Sequence, residues 1–431
     1  MESGVFMTYD EAVEYTHSLL RFGIKPGLER MKYVTERLGL PQNGFKIVHV
    51  AGTNGKGSTV NMISAALSEN GYKTGMFTSP YVVDFRERIQ IDGDFIEKAD
   101  YAEYAGRVKA VCETADEAIG PITEFEFITA VAFLYFCEKK CDFAVIEVGL
   151  GGRLDATNVV ENPVISVITD VSLDHTDILG DTVEKIAYEK CGIIKENVPV
   201  VTAAKQDKRA LEVIKQCCFD RGAKLFLPKY SELCNTTFGS DGASFCCYGK
   251  NFSLPMYGSY VPENALTALT ALKVLKAEYG VKIDGDAVVS AFKRVKIPGR
   301  FEKVRSDYGE FILDCTHNPA GAETLADTLD AAYPGQKLFA VCGMLGDKNV
   351  DEVLKKVSPH ISGVITVTPE NPRAMSAGEL AVRFKEYGVP AFSGAIDTET
   401  LKNAVGRSNG APVLVFGSFY TVSPFRLLLI K

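Results

Sequence analysis

The sequence predicts an α/β protein of two domains: a parallel-sheet domain carrying a phosphate loop (P-loop), followed by a smaller Rossmann-like α/β domain. Three observations predict it. The chain has 431 residues, 46% of them hydrophobic, which is too much for one ordinary core. Short, continuous, β-branched runs recur, as strands buried on both faces of a parallel sheet require. Helical stretches alternate with those runs.

The strands expected in the first domain are Lys46–Val50, Phe143–Val148, Val164–Thr169 and Val198–Thr202. Thr59–Leu67 reads as a helix closed by Asn70-Gly71, a C-cap signal. Thr123–Cys137 opens with Thr123 and Glu126 in capping-box spacing and is apolar nearly all round, so a buried helix is expected there. Ala223–Tyr260 is short, Gly/Ser-rich and aromatic, and reads as a small β insertion on the first domain. The helix-like Asp284–Val295 stretch runs into Lys296-Ile297-Pro298-Gly299-Arg300. That break puts the boundary between a domain of residues 1–297 and one of 298–431. Strands Phe311–Cys315, Leu338–Cys342, Gly363–Thr368 and Val413–Gly417 follow.

The net charge of -8, from 47 basic and 55 acidic residues, gives no global attraction to nucleic acid or to an anionic membrane. The 11 cysteines are scattered and read as reduced thiols used as small hydrophobes. No histidine stands at zinc-ligand spacing from a cysteine pair. Met1–Asp10 has no signal-peptide pattern, and no run of about 18 apolar residues occurs. A cytoplasmic protein is expected.

The sharpest local pattern is Gly52-Thr53-Asn54-Gly55-Lys56-Gly57-Ser58-Thr59, between an apolar strand and a helix. Glycines let the backbone turn tightly and come close to an anion. Loop and helix N–H groups then face phosphate oxygens, Lys56 adds positive charge, and Ser58 or Thr59 offers a hydroxyl for Mg2+. The pattern departs from the kinase and GTPase loop, because only Thr53 and Asn54 separate the first two glycines and Gly57 follows the lysine. A plain flexible turn is the alternative.

Glu147 ends an apolar strand, where ligands of open α/β sheets bind. A buried carboxylate is costly unless it is paired or holds metal; an ion pair with Arg153 is the structural alternative. His175 follows the next strand, as a metal ligand, a phosphate contact or a structural residue. Lys190 alone reads as a solvated charge on a helix capped by Asp181 or Thr182. In the second domain, polar or glycine tips end the strands at Asp314-Cys315-Thr316-His317-Asn318, Gly343–Lys348 and Gly417-Ser418-Phe419-Tyr420, which suggests one edge facing a shared cleft.

Together these segments resemble the Mur ligase superfamily, and more closely its folylpolyglutamate synthase and dihydrofolate synthase branch. The resemblance rests on Gly52–Ser58, Thr78-Ser79-Pro80, Phe85–Ile89 and the highly specific run Glu147–Asn158. It continues through Asp174-His175, Glu189-Lys190, Pro298-Gly299-Arg300-Phe301, and Asp314 with His317-Asn318-Pro319. It spans about residues 45–420. One departure is Tyr81, where the family commonly has histidine.

The resemblance implies roles. Gly52, Thr53, Asn54, Gly55, Lys56, Gly57, Ser58 and Thr59 would hold the phosphates of ATP, a co-substrate, with Asn264, Arg300 and Asp314 as further contacts. Ser58, Ser79, Glu147 and His175 match positions that bind Mg2+, directly or through water. Lys190 matches a lysine that is carbamylated in the family, and Lys56, Lys190 and His317 are the expected catalytic residues. Thr123, Glu124, Phe125 and Glu126, with Leu154, Asp155 and Ala156, resemble the pterin-side segments. The implied reaction is ligation of L-glutamate to a folate, or to dihydropteroate, through an acyl-phosphate. A monomer is the default expectation, apart from the resemblance. Cell-wall ligases of the superfamily carry a domain ahead of the loop, whereas only about 50 residues precede it here. A Mur-type ligase for another carboxylate and a non-ligating nucleotide switch are the competing readings.

Overall fold

A computed structural model describes residues 7–115, 119–239, 242–346 and 349–430. The chain divides into two compact units. The first takes the described residues up to Tyr81, then Arg86–Glu232 and Glu263–Phe292. The second takes Val82–Phe85, Leu233–Pro262 and the described residues from Lys293 onward.

The first unit is built on eight strands: β1 (Lys46–Ala51), β2 (Thr74–Phe77), β3 (Ile89–Ile91), β4 (Asp94–Phe95), β5 (Phe143–Glu147), β6 (Ile165–Ile168), β7 (Val200–Thr202) and β8 (Leu225–Phe226). Their order is β4-β3-β2-β5-β1-β6-β7-β8. All pairings from β2 to β8 are parallel, and β3 and β4 extend the edge antiparallel. After β1 the chain crosses to β2 on one side; after β6 it moves to β7 on the other. The order therefore reverses between β1 and β6, and their carboxyl ends open a crevice where an α/β sheet binds ligands. The Val50↔Glu147 register carries the Glu147 carboxylate to that same end.

The strand β2 is not legible as a β-branched run because Gly75 occupies it. A Cβ there would lie 2.8 Å from the ring of Phe136. Phe136 belongs to the helix Glu124–Glu138, whose residues are almost all buried, as its all-round apolar character requires. Thr123 caps that helix and Glu126 returns the bond, a complete capping box.

In the second unit, β9 (Leu233–Gly239), β10 (Gly242–Cys247) and β11 (Lys250–Leu254) form an antiparallel sheet. The small β segment was expected on the first domain; it packs instead as part of the second unit. β9 lies against the helix Pro319–Ala332, a long-range pairing that local composition does not encode. Six further strands follow: β12 (Glu302–Ser306), β13 (Gly309–Asp314), β14 (Leu338–Cys342), β15 (Ile361–Thr366), β16 (Ala391–Ser393) and β17 (Val413–Phe416). Their order is β12-β13-β17-β14-β15-β16, parallel except for β12. Ile312 and Leu414 pack in one buried cluster, Phe311, Leu313, Val413 and Val415 in another. Alternate residues thus fill separate cores on the two faces, which explains the unbroken apolar strands. Asp347 and Lys348, at the end of an expected polar tip, lie outside the described residues.

Candidate functional site

Gly52 leaves β1 with φ 152°, and a Cβ there would fall 1.8 Å from Thr169 Oγ1. Only glycine fits that approach to β6. The loop is then tied across the crevice: Thr53 N–H donates to Asp170 O at 2.6 Å, and Thr53 Oγ1 donates to Ser172 O at 3.0 Å. Asn54 Nδ2 donates to Asp170 Oδ2 and Ser172 Oγ at 3.2 and 3.1 Å. Burial raises the Asp170 carboxyl above its ordinary range, against the hydrogen bonds of Asn54 and Ser172. Gly55, with φ 85°, starts the helix Lys56–Glu69, and no side chain caps it. Its first-turn N–H groups thus face the crevice with the positive end of the helix dipole, an arrangement suited to phosphate.

Three distant side chains meet this loop, and Ser79 joins them through its backbone N–H. Glu147 lies beside the helix start: a Cβ on Gly57 would be 3.6 Å from Glu147 Oε2. The same oxygen accepts from Ser79 N at 3.3 Å, so Ser79 is at the loop too. Asn264 covers Gly55, where a Cβ would meet Asn264 Oδ1 at 2.4 Å. Lys190 is 4% exposed and its Nζ donates to Gly52 O at 2.8 Å. Its expected surface position, from the residues alone, is therefore corrected. Burial, then repulsion from Lys56, pulls its amine down to about 7. Lys56 Nζ donates to Thr53 O at 3.2 Å, Ser58 is buried, and Thr59 is fully buried.

His175 stands with φ 49° at the N-cap of the short helix Thr176–Leu179, three residues after Ser172. It is exposed, with Nε2 4.0 Å from Asp174 Oδ1. Arg153, the alternative partner for Glu147, instead pairs with Glu189 at 2.8 Å. Among the described residues no three His, Cys, Asp or Glu side chains form a metal cage. A hard ion such as Mg2+ needs no such cage, since one carboxylate with hydroxyls, waters and phosphates suffices. The donors gathered at the loop, Glu147 with Ser58 and Ser79, fit that requirement.

Of the expected pterin-side residues, Phe125 reaches the turn that follows β5. Phe125 packs on Gly149, where a Cβ would be 2.5 Å from the ring, and on Phe77. Glu124 and Glu126 are engaged by Arg88 at 3.0 Å and Arg30 at 2.9 Å. Leu154 O accepts from Gly27 N, and Ala156 is buried. Asp155 is buried, and burial raises its carboxyl. Its oxygens accept from Leu150 N at 2.8 Å and from Thr157 N and Oγ1 at 3.0 and 2.6 Å.

In the second unit, Arg300, Asp314 and His317 gather at the carboxyl end of β13. Asp314 Oδ2 accepts from Phe301 N, and Oδ1 from Thr316 N, at 2.8 and 2.9 Å. Burial raises its carboxyl and nearby Arg300 opposes the rise. Arg300 lies over the Phe419 ring at 5.5 Å, and the ring of His317 is 6.2 Å from that of Phe419. Sequence reasoning missed Asp170 and Ser172 as members of the loop cluster; Asp170 stands just past the end of β6, the kind of position that singled out Glu147.

Gly52→Ala forces Cβ against Thr169 and imposes a φ that costs an L-residue about 1–3 kcal/mol. ADP affinity measured by calorimetry is expected to fall at least about tenfold; unchanged affinity would show that the loop does not hold phosphate.

Residues 50–272 match the Mur ligase middle domain, and residues 299–419 the Mur ligase glutamate ligase domain. A Bacillus subtilis (strain 168) dihydrofolate synthase/folylpolyglutamate synthase is 36% identical over 434 residues, covering 98% of this chain and 99% of the relative. The folylpolyglutamate synthase of Lacticaseibacillus casei is 32% identical, covering 98% and 99%. Among solved structures, Mycobacterium tuberculosis folylpolyglutamate synthase complexed with ADP and AMPPCP aligns with a TM-score of 0.89 at 31% identity, covering 98% of this chain and 99% of that one. Escherichia coli FolC in complex with DHPP and ADP aligns with a TM-score of 0.83 at 28% identity, covering 98% of both. The chain belongs to the Mur ligase family and, within it, to the folylpolyglutamate synthase/dihydrofolate synthase branch of ATP-dependent ligases.

Proposed function

We propose that this protein transfers the γ-phosphoryl of ATP to a folate carboxylate, and that the amine of L-glutamate displaces phosphate from the resulting acyl-phosphate. The observation that carries the reading is the convergence of Glu147, Ser79, Lys190 and Asn264 on the uncapped loop Gly52–Thr59. A nucleotide switch needs the loop and a carboxylate for Mg2+, but it has no use for the buried lysine.

The loop amides and Lys56 bind the phosphates and spread the charge of the transferring group. Ser58, Ser79, Glu147 and His175 would hold Mg2+, which neutralises phosphate charge when bound. Lys190 carries a carbamate: its lowered basicity leaves much of the amine neutral and able to add CO2 near neutral pH. Arg300 and Asp314 of the second unit contact the nucleotide. His317 positions the glutamate amine; its Nδ1–H donates to Cys315 O at 2.9 Å, which makes Nε2 the basic nitrogen. Phe125, Leu154 and Ala156 face the pterin side. In chain order the ligase domains are taken as residues 1–297 and 298–431, with the β9–β11 segment of the first stretch packing into the second unit. The same reading takes the protein as a cytoplasmic monomer; no helix among the described residues is long and apolar enough to cross a membrane.

The test offers the purified protein Mg-ATP and glutamate with tetrahydrofolate or dihydropteroate, and weighs the products. A glutamate-sized mass gain with either acceptor is expected; the relatives' names favour gain with both. ATP hydrolysis that needs neither glutamate nor folate would support the switch instead. Glu147→Gln, nearly isosteric, is expected to raise the Mg2+ needed for half-maximal rate and to cut kcat about a hundredfold. An unaltered Mg2+ titration would remove Glu147 from that role.

A further inference from the structure

His49 lies in the middle of β1, three residues before Gly52, and is fully buried. Its Nε2 lies 2.9 Å from Thr157 Oγ1. That hydroxyl donates its one proton to Asp155 Oδ1 at 2.6 Å, so it accepts from His49 and Nε2 carries the hydrogen. The other Asp155 oxygen accepts from Leu150 N at 2.8 Å. A continuous relay therefore runs from His49 through Thr157 and Asp155 to Leu150. It spans from the strand that feeds the phosphate loop to the turn Gly149–Ala156, which follows Glu147.

The imidazole is not present for packing alone. Its Nδ1 is buried with no hydrogen-bond partner, a cost that leucine or phenylalanine at this position would avoid. A buried, half-satisfied histidine is retained where its one bond matters. Burial, then the nearby Lys195, drives its basicity down to about 3, so the ring stays neutral and the relay keeps one polarity across the working range.

We propose that His49 is a positioning residue for the acceptor substrate: through Thr157 and Asp155 it sets the turn that presents Leu154 and Ala156 to the folate. This rests on the reading of that turn as the pterin side. It predicts a split between substrates, because the relay ends at the acceptor turn while the phosphate loop has its own ties to Asp170 and Ser172.

The test is steady-state kinetics of the full chain with His49→Phe, His49→Gln, Thr157→Val and the double variant His49→Phe/Thr157→Val. His49→Phe is expected to raise KM for tetrahydrofolate about tenfold or more, with KM for ATP within about twofold. His49→Gln, whose amide can donate to Thr157, is expected to recover most of that loss. The double variant is expected to be no worse than the poorer single one, because both break the same chain. Thr157→Val carries the test if His49→Phe fails to fold. Equal rises in both KM values, or additive effects in the double variant, would overturn the proposal and leave general loosening of the sheet. Ala156→Leu separates the underlying reading. If Ala156→Leu raises the folate KM and the relay variants do not, the relay role falls and the turn's assignment stands. If neither moves it, both fall.

Discussion

Lys56→Ala is expected to abolish folate- and glutamate-dependent ADP release, with kcat lowered at least about a thousandfold. The side chain is half-buried, and its ammonium donates to Thr53 O within its own loop. Its loss therefore leaves the sheet, the helix and the Gly52–Thr169 approach intact. What disappears is a fixed positive charge where negative charge shifts during phosphoryl transfer. Such a preorganised charge acts far more strongly in a water-poor crevice than in solvent. A guanidinium would keep the charge but not the compact ammonium, so Lys56→Arg is expected to recover only part of the rate. Coupled-enzyme measurement of ADP, with circular dichroism for the fold, checks both. Full activity of Lys56→Ala would remove the loop from the chemistry.

Lys190→Met should separate activity from stability in opposite directions. Carbamate formation joins the neutral amine to CO2 and releases a proton, so it is lost as pH falls through about 7. Activity of CO2-depleted protein is expected to fall below that pH and to recover with added bicarbonate. Lys190→Met is expected to lose at least about a hundredfold in kcat at any pH and to ignore bicarbonate. Stability responds to the substitution in the opposite sense, although its pH trend is the same. The folded amine is depressed from an ordinary 10.5 to about 7, so unmodified protein loses stability as pH falls across that window. Methionine removes this penalty at the cost of one hydrogen bond to Gly52 O. At neutral pH the variant should melt no lower than the unmodified parent. A large drop in melting temperature would make Lys190 structural.

The phosphate loop could be read directly because its chemistry is local: glycines, a lysine and hydroxyls between a strand and a helix. The helix Glu124–Glu138 could be read too, since a capping box and an apolar surface are sequence properties. Strand β2 escaped notice because Gly75 was chosen by the ring of Phe136, which lies 61 positions further on. Lys190 looked like a surface charge on its helix. Nothing within a few residues announces that its amine ends on Gly52 O, 138 positions away. Asn264, on the helix Tyr260–Tyr279, meets Gly55 in the same non-local way. The small sheet β9–β11 showed its composition in the sequence but not its partner.

By itself, then, the sequence determined the alternation of strands and helices, the anion-binding loop and the carboxylate at the end of β5. Each follows from backbone preferences and burial patterns that act over a few residues. Only the tertiary structure decided which side chains complete the loop, which acids are taken up in ion pairs, and that His49, Thr157 and Asp155 form one chain of hydrogen bonds. Those outcomes depend on the β1–β5 and β1–β6 registers, which bring together atoms far apart along the chain, and on desolvation, which no single residue specifies.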